Sequence, residues 1–595
     1  MSFRFSFILI QLPFMLMVRV YRLHAYEQHK IYTLRNCRKE NLLQFPDVTI
    51  ITELRVQNCF IPTLDNELFI NFNNLIHLEI SNSHLAALDE YALHGLMHLR
   101  SLSLARNNLS EVKSWSNEQM GSLSHLDLSG NAVRSLTLNS FNRYRSLEHL
   151  NMAANLLVDV ETGVFDWTPR LRHLNLAENR LVAIEKSDFY GMPRLTHLLL
   201  QENAIEFIES EAFIANPQMR VLRLDGNQLR QVGFLQNGNF NRLLHLNLSH
   251  NAIETLDEMQ FLNDSDLNQL DLSYNRLMEI NEGSFNGLQN LELLNIGNNF
   301  LQRISVNGLQ MLFSLESLQL NNNNLTQVPV GTFNTDVRSL RNINLSHNQL
   351  SSIDATLFSN MPNLRFLDLS GNRLQQNEFI VSLANIMKHN SLTLNLSGNQ
   401  FRSLNMTALT AYEQVELSDN LWSCKWLIEA MLRKPKSINF GQPLEVHTTW
   451  SAEMLKINSI GCYDENIKRS IIILDVSEAQ QDRSGKLGKC ETSKANQLSK
   501  HEGSSEESTA APPLVWPTIK TDKFDSRSVV IWMLIAITLA FSALRVARKL
   551  VDRKEQQIKL QRVIAKYKAQ KEVQKHSYSY SEEMENLHKD EKTTN

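Results

Sequence analysis

This sequence predicts a parallel β-solenoid of the α/β class, and three observations predict it. The first is a phrase. Leu123, Leu126, Leu128, Asn131 and Val133 are spaced LxxLxLxxNxL, with Phe141 ten positions beyond the asparagine. Leu147, Leu150, Met152, Asn155, Leu157 and Phe165 repeat it 24 residues later. The second is its persistence. The asparagine slot recurs in steps of 24 at Asn107, Asn131, Asn155, Asn179, Asn203, Asn227, Asn251, Asn275, Asn299 and Asn323. It continues at Asn348, Asn372, Asn399 and Asn420 with steps of 25, 24, 27 and 21, and going backward it holds Ser83, Cys59 and Cys37. The third is the phenylalanine column at Phe69, Phe141, Phe165, Phe189, Phe213, Phe261, Phe285, Phe333 and Phe358.

Each element has a physical role. Leu126 and Leu128 alternate along a short strand and point inward, while the residues between them point out. Asn131 ends the strand inside the coil, where its amide can satisfy backbone groups that would otherwise be buried and unpaired. The phenylalanines should stack as a second apolar column on the convex side. One coil cannot bury its own leucine row, so stability comes from stacking many. A period in this range marks a leucine-rich repeat solenoid, a horseshoe with a parallel β-sheet on its concave face.

Composition agrees. A chain of 595 residues exceeds a single compact core, and its net charge of −4 gives no argument for nucleic acid as a partner. Five cysteines are too few for a disulfide scaffold, and none lies between Cys59 and Cys424, so they bracket the array as end caps would in an oxidising compartment.

From the N-terminus, Arg4 and the apolar stretch Phe5 to Val18 read as a secretory signal over 1–25. Residues 26–62 form an N-terminal cap with degenerate repeats, in which Tyr32, Leu34 and Cys37, then Leu54, Val56 and Cys59, keep the pattern. Adjacent coils place equivalent positions about 4.8 Å apart, within the separation a disulfide accepts. A Cys37–Cys59 bond is therefore expected; the other reading is that each thiol simply replaces asparagine. Repeats fill 63–421, a cap 422–477, and a Ser-, Glu- and Pro-containing linker 478–527. Residues 528–547 are apolar enough for one membrane-spanning helix, followed at once by Arg548, Lys549, Arg553 and Lys554. The positive side is thus C-terminal, which makes 548–595 a cytoplasmic tail too short for a catalytic domain.

No GxSxG, HExxH, P-loop or CxxC pattern occurs, so neither an enzyme nor a cofactor is expected, and no resident metal. The outward residue before the second leucine reads His77, Ser101, His125, His149, His173, His197, Val221, His245. Four consecutive coils thus set His125, His149, His173 and His197 in one row. Such a row is a candidate binding ridge whose partner affinity should fall between about pH 7 and 5.5, since neighbouring imidazolium ions repel. The bland reading is that His before Leu is a tolerated surface choice. Sequons begin at Asn108, Asn247, Asn263, Asn324, Asn344, Asn395 and Asn405. Occupied, those at Asn247, Asn344 and Asn395 would cover the C-terminal half of the concave sheet and leave the histidine half clear.

Residues 26–475 resemble the ectodomains of animal extracellular leucine-rich repeat proteins, such as insect cell-surface adhesion molecules and Toll-type receptors. The Toll pattern is not followed throughout, because the tail lacks those receptors' long signalling domain. Asn420-Leu-Trp422-Ser-Cys424-Lys-Trp426 resembles the family's C-terminal cap, with Trp426 where its second cysteine usually stands. The resemblance pairs Cys424 with Cys462 and leaves Cys490 over, a candidate for an intermolecular bond and a homodimer; the competing arrangement pairs Cys462 with Cys490. It implies a type I plasma-membrane protein that binds an extracellular or cell-surface protein in adhesion or cell–cell recognition. The alternative is an innate-immune or signalling co-receptor.

Overall fold

The computed structural model describes residues 30–433, except 46, 114, 116–119, 238, 259, 262–265, 334–337 and 389, together with 437–440, 454–457, 460–463 and 473–474. The signal segment, the linker, the span at 528–547, the tail and Cys490 lie outside these residues. Among the described residues no helix is long and apolar enough to cross a membrane.

One parallel sheet of 18 strands runs from Lys30–Arg35 to Ile438–Asn439. Most of its strands are three residues long, and each pairs with its neighbour in the register the repeat dictates. Leu126 faces Leu150, then Leu174, then Leu198, all nearly or fully buried. Consecutive coils therefore add to one continuous leucine core that no single coil could form.

Behind each strand the slot asparagine closes the turn. Asn275 donates its amide protons to the carbonyls of Leu248 (2.9 Å) and Leu272 (3.0 Å) and accepts from the Ile253 N–H (3.0 Å). The same three contacts recur from coil to coil, so a column of buried amides satisfies backbone that the solenoid has taken from water. The residue before the slot takes a left-handed conformation. Glycine does so at Gly130 (φ 67°), but Ala154 (φ 55°) and Glu178 (φ 54°) adopt it as well, because the asparagine hydrogen bonds fix the turn.

On the opposite side the phenylalanines stack, with Phe141 and Phe165 rings 5.7 Å apart and Phe189 and Phe213 rings 5.9 Å apart. The step of 27 between Asn372 and Asn399 has a structural cause. It accommodates the helix Asn377–Ile386, which buries Phe379, Ile380, Leu383 and Ala384 against the core.

Both ends are closed. Cys37 is bonded to Cys59 with Cα atoms 4.5 Å apart, and Cys424 to Cys462 with Cα atoms 5.0 Å apart. Cys424 opens the helix Cys424–Arg433, and Cys462 lies on the strand Ile460–Tyr463, which pairs antiparallel with Met454–Ile457. Trp426 is buried and stacks on Trp422 at 4.3 Å. Its indole N–H donates to the Leu404 carbonyl (2.8 Å), so this ring ties the cap to the array by packing and a hydrogen bond.

Candidate functional site

The strands His125–Asp127, His149–Asn151, His173–Asn175 and His197–Leu199 are adjacent in the main sheet, and their histidines are register partners. The sequence places the four in one column; the side chains go further and stack. Ring centroids are 4.3, 4.2 and 4.2 Å apart along the row, with planes inclined by only 8°, 14° and 17°. Strand spacing thus matches ring spacing, and the imidazoles form one continuous ladder.

Hydroxyls pin its two ends. Ser124 Oγ lies 2.8 Å from His125 Nδ1 and 3.1 Å from the Arg100 carbonyl oxygen. Thr196 Oγ1 lies 2.9 Å from His197 Nδ1 and 2.9 Å from the Arg172 carbonyl oxygen. A hydroxyl has one proton to give. Both contacts at each end are satisfied when the hydroxyl donates to the carbonyl and accepts from the ring Nδ1–H. His125 and His197 then keep Nε2 as an acceptor. In the middle, Nδ1 of His173 is buried without a hydrogen-bond partner.

Charge follows from this packing. Partial burial is the first cause that lowers the pKa of His149, His173 and His197, with neighbouring charges adding to it. His173, between two other rings and beside Arg172, falls to about 4. Arg220 and His245 press on His197, and Glu148 partly offsets the effect at His149. Burial and neighbouring charge therefore make His149, His173 and His197 harder to protonate than a free imidazole, His173 most of all. Because these folded-state values are depressed, the unfolded chain takes up protons first. The contribution to stability is intact above about pH 6.5 and is lost as pH falls towards 4.

Beside the ladder runs a groove of about 360 Å³, bounded by the four histidines together with Ser101, Asp127, Asn151, Asn175 and Leu199. Asn151 and Asn175 accept the backbone N–H groups of Ala153 (3.1 Å) and Ala177 (3.0 Å), which holds their amides in place along the floor. Nearly parallel rings aim their nitrogens in one direction rather than at one point. No cluster that could hold a metal occurs among the described residues.

A second stack, His250 on Tyr274 at 4.1 Å, escaped the sequence reading. Its signal was present, since both residues immediately precede a slot asparagine. The sequons divide by environment. Asn108 and Asn405 are exposed, and Asn405 caps the short helix Met406–Leu409 through its side-chain oxygen. Asn247, Asn344 and Asn395 are half-buried in strands, with each amide oxygen accepting the N–H of its own sequon serine at 3.0, 3.0 and 3.1 Å. Asn263 lies outside the described residues.

Comparison with known proteins addresses the repeats directly. A leucine rich repeat family model matches residues 51–109, 97–157, 169–229, 265–320 and 313–374, and a second leucine-rich repeat model matches 363–386. These coils are leucine-rich repeats. Among solved structures, the chain is similar to a chain of the Toll–Spatzle complex of Drosophila, with 21% identity, a TM-score of 0.53, and coverage of 67% of this chain and 58% of that one. The glycosylated form of that complex gives 18% identity, 69% of each chain and a TM-score of 0.53. A leucine-rich repeat protein of Leptospira interrogans gives 23% identity over 64% of this chain and 90% of its own, with a TM-score of 0.49. No curated protein matches the sequence. At these identities the likeness is one of fold. The fold is that of a leucine-rich repeat solenoid.

Proposed function

We propose that this chain is a single-pass type I protein of the plasma membrane that binds an extracellular or cell-surface protein, in adhesion or cell–cell recognition, through the imidazole ladder and its groove. The observation that carries the reading is the ladder itself. Four rings held nearly parallel, two with defined tautomers, form a rigid ridge beside a pre-formed groove, and a partner meets such a surface with little loss of side-chain freedom. The apolar segment 528–547 and the basic residues after it support the topology. An epitope tag after Asn595 that stains on unpermeabilised cells would contradict it.

To test the site, cells displaying the full chain are probed with a collection of purified ectodomains. Asn151→Arg together with Asn175→Arg, which fills the groove floor with bulk and charge, should weaken capture of the recovered partner by about tenfold or more, an interface loss of at least ~1.4 kcal/mol. Surface display should be unchanged, and Ile214→Arg, on an exposed residue away from the groove, should have no effect. Equal losses from both variants would place the partner elsewhere.

A second reading is an innate-immune or signalling co-receptor. It is favoured by the fold likeness to the Toll–Spatzle complex, described as a hub in development and innate immunity. A trans cell-aggregation assay separates the two, because an adhesion protein clusters cells and a co-receptor need not.

Cys490 extends the proposal to a covalent homodimer. With the other four cysteines paired, an odd thiol in an oxidising compartment finds an intermolecular partner, and confinement to one membrane raises its effective concentration. A dimer band on non-reducing gels that Cys490→Ser removes, with normal surface expression, is the expected result. A wild-type chain that runs wholly as monomer contradicts it.

A further inference from the structure

Phe300 leaves 52% of its surface exposed, although the slot it occupies is filled by polar residues on the next four coils. It stands immediately after the slot Asn299, and the equivalent residues of the next two coils are Asn324 and Gln349. Backbone bonding fixes this as one row. Phe300 N–H donates to the Leu277 carbonyl (3.0 Å), Asn324 N–H to that of Leu301 (2.9 Å), and Gln349 N–H to that of Leu325 (2.9 Å). Neighbours in such a row are about 4.8 Å apart and project from the same face. The Gln349 amide reaches back across one coil to donate to Asn324 Oδ1 (3.4 Å), which shows that side chains in this row do meet.

That contact also orients Asn324. Its oxygen accepts from Gln349 on the following coil, while Phe300 stands on the coil before it. Asn324 begins the sequon Asn324-Leu325-Thr326, and Thr326 is exposed. The nitrogen is the atom to which an N-linked sugar is attached.

We propose that Asn324 carries an N-linked glycan whose first sugar packs on the ring of Phe300. A pyranose presents a face of polarised C–H bonds, and an aromatic ring presents a face of negative potential. The two are brought to adjacent rungs of the same row, and the sugar removes apolar ring surface from water. Glycosylation at this position is then a structural part of the solenoid surface, and it withdraws Phe300 from the surface open to partners. The inference rests on the extracellular reading above, since only a chain that enters the secretory pathway receives such a glycan.

The full-length protein is expressed in animal cells, and glycopeptides are mapped by mass spectrometry. Asn324 should be occupied. In the native protein, enzymatic release of its glycan by an amidase that cuts at the asparagine should be slow. Phe300→Ala should accelerate release at Asn324 severalfold without altering release at Asn108, and Phe300→Tyr, which keeps the ring, should preserve the slow rate. Asn324 bare while Asn108 or Asn405 is glycosylated overturns this proposal alone. Every sequon bare overturns the extracellular reading and the proposal with it. An unchanged release rate in Phe300→Ala overturns the packing, and if that variant instead loses capture of the recovered ectodomain partner, Phe300 belongs to a protein-binding face.

Discussion

Leu270→Asp should abolish display of the protein at the cell surface and leave it retained in the secretory pathway. Leu270 is fully buried on the strand Gln269–Asp271, in register between Leu246 and Leu294. An aspartate there has leucines on both sides and no cation to pair with. An unpaired buried charge costs on the order of 3–5 kcal/mol, and loss of the leucine adds to it. In an array held by nearest-neighbour contacts, a break in mid-row uncouples the two halves. Normal surface levels of this variant would contradict the inward assignment of the leucine row.

Asp188→Ser should do the reverse and stabilise the protein at neutral and alkaline pH. Asp188 is buried, with 5% of its surface exposed, and accepts the Glu185 N–H (2.8 Å). The equivalent Ser140 accepts the Thr137 N–H (3.0 Å) and also donates to the Val112 carbonyl of the preceding coil (2.9 Å). An ionised aspartate has no proton with which to copy that second bond. Burial, with Glu185, Asp159 and Glu209 nearby, pushes its pKa up to about 7.

The direction follows from linkage. The unfolded chain loses this proton near pH 4, whereas the folded chain holds it until about 7, so folding becomes less favourable as pH rises across that interval. At about 1.4 kcal/mol per pH unit, the serine variant should be the more stable by on the order of 2–4 kcal/mol above pH 7. The advantage should shrink towards pH 4. Thermal unfolding of both proteins at pH 5 and pH 8 checks this, and an advantage independent of pH would show that Asp188 is not held neutral by the fold.

These two sites show what the sequence carries and what it does not. Leucine and asparagine positions were legible because coil after coil repeats them, and periodicity alone places Leu270 inward and Asn275 at the turn. Asp188 was not legible. It occupies a slot that holds Ser140 and Ser284 in other coils, and its burial depends on backbone that the pattern does not describe. The histidine column was read from spacing, but its stacking was not, because ring orientation depends on the hydroxyls of Ser124 and Thr196, one residue off the column. The lowered pKa of His149, His173 and His197 comes first from burial, which spacing alone does not show. At the cap, Trp426 was read as a departure from a cysteine pattern. The structure gives it a positive role, stacked on Trp422.

The claim that the stacked ladder is the partner-binding ridge is tested most directly by the pH profile of binding. Affinity for the ectodomain recovered in the screen is measured from pH 7.5 to 4, for the native chain and for a variant with His125, His149, His173 and His197 replaced by glutamine. Arg172, Arg220, Glu148, His245 and Asp127 surround these rings and are left in place. Binding to the native chain should fall as pH drops below the usual imidazole midpoint of roughly 6.5 towards 4, where His173 titrates. The glutamine variant should show a flat profile. A native midpoint near 6.5, or the same profile in the variant, would show that the rings are independent surface histidines and that the partner does not read the ladder.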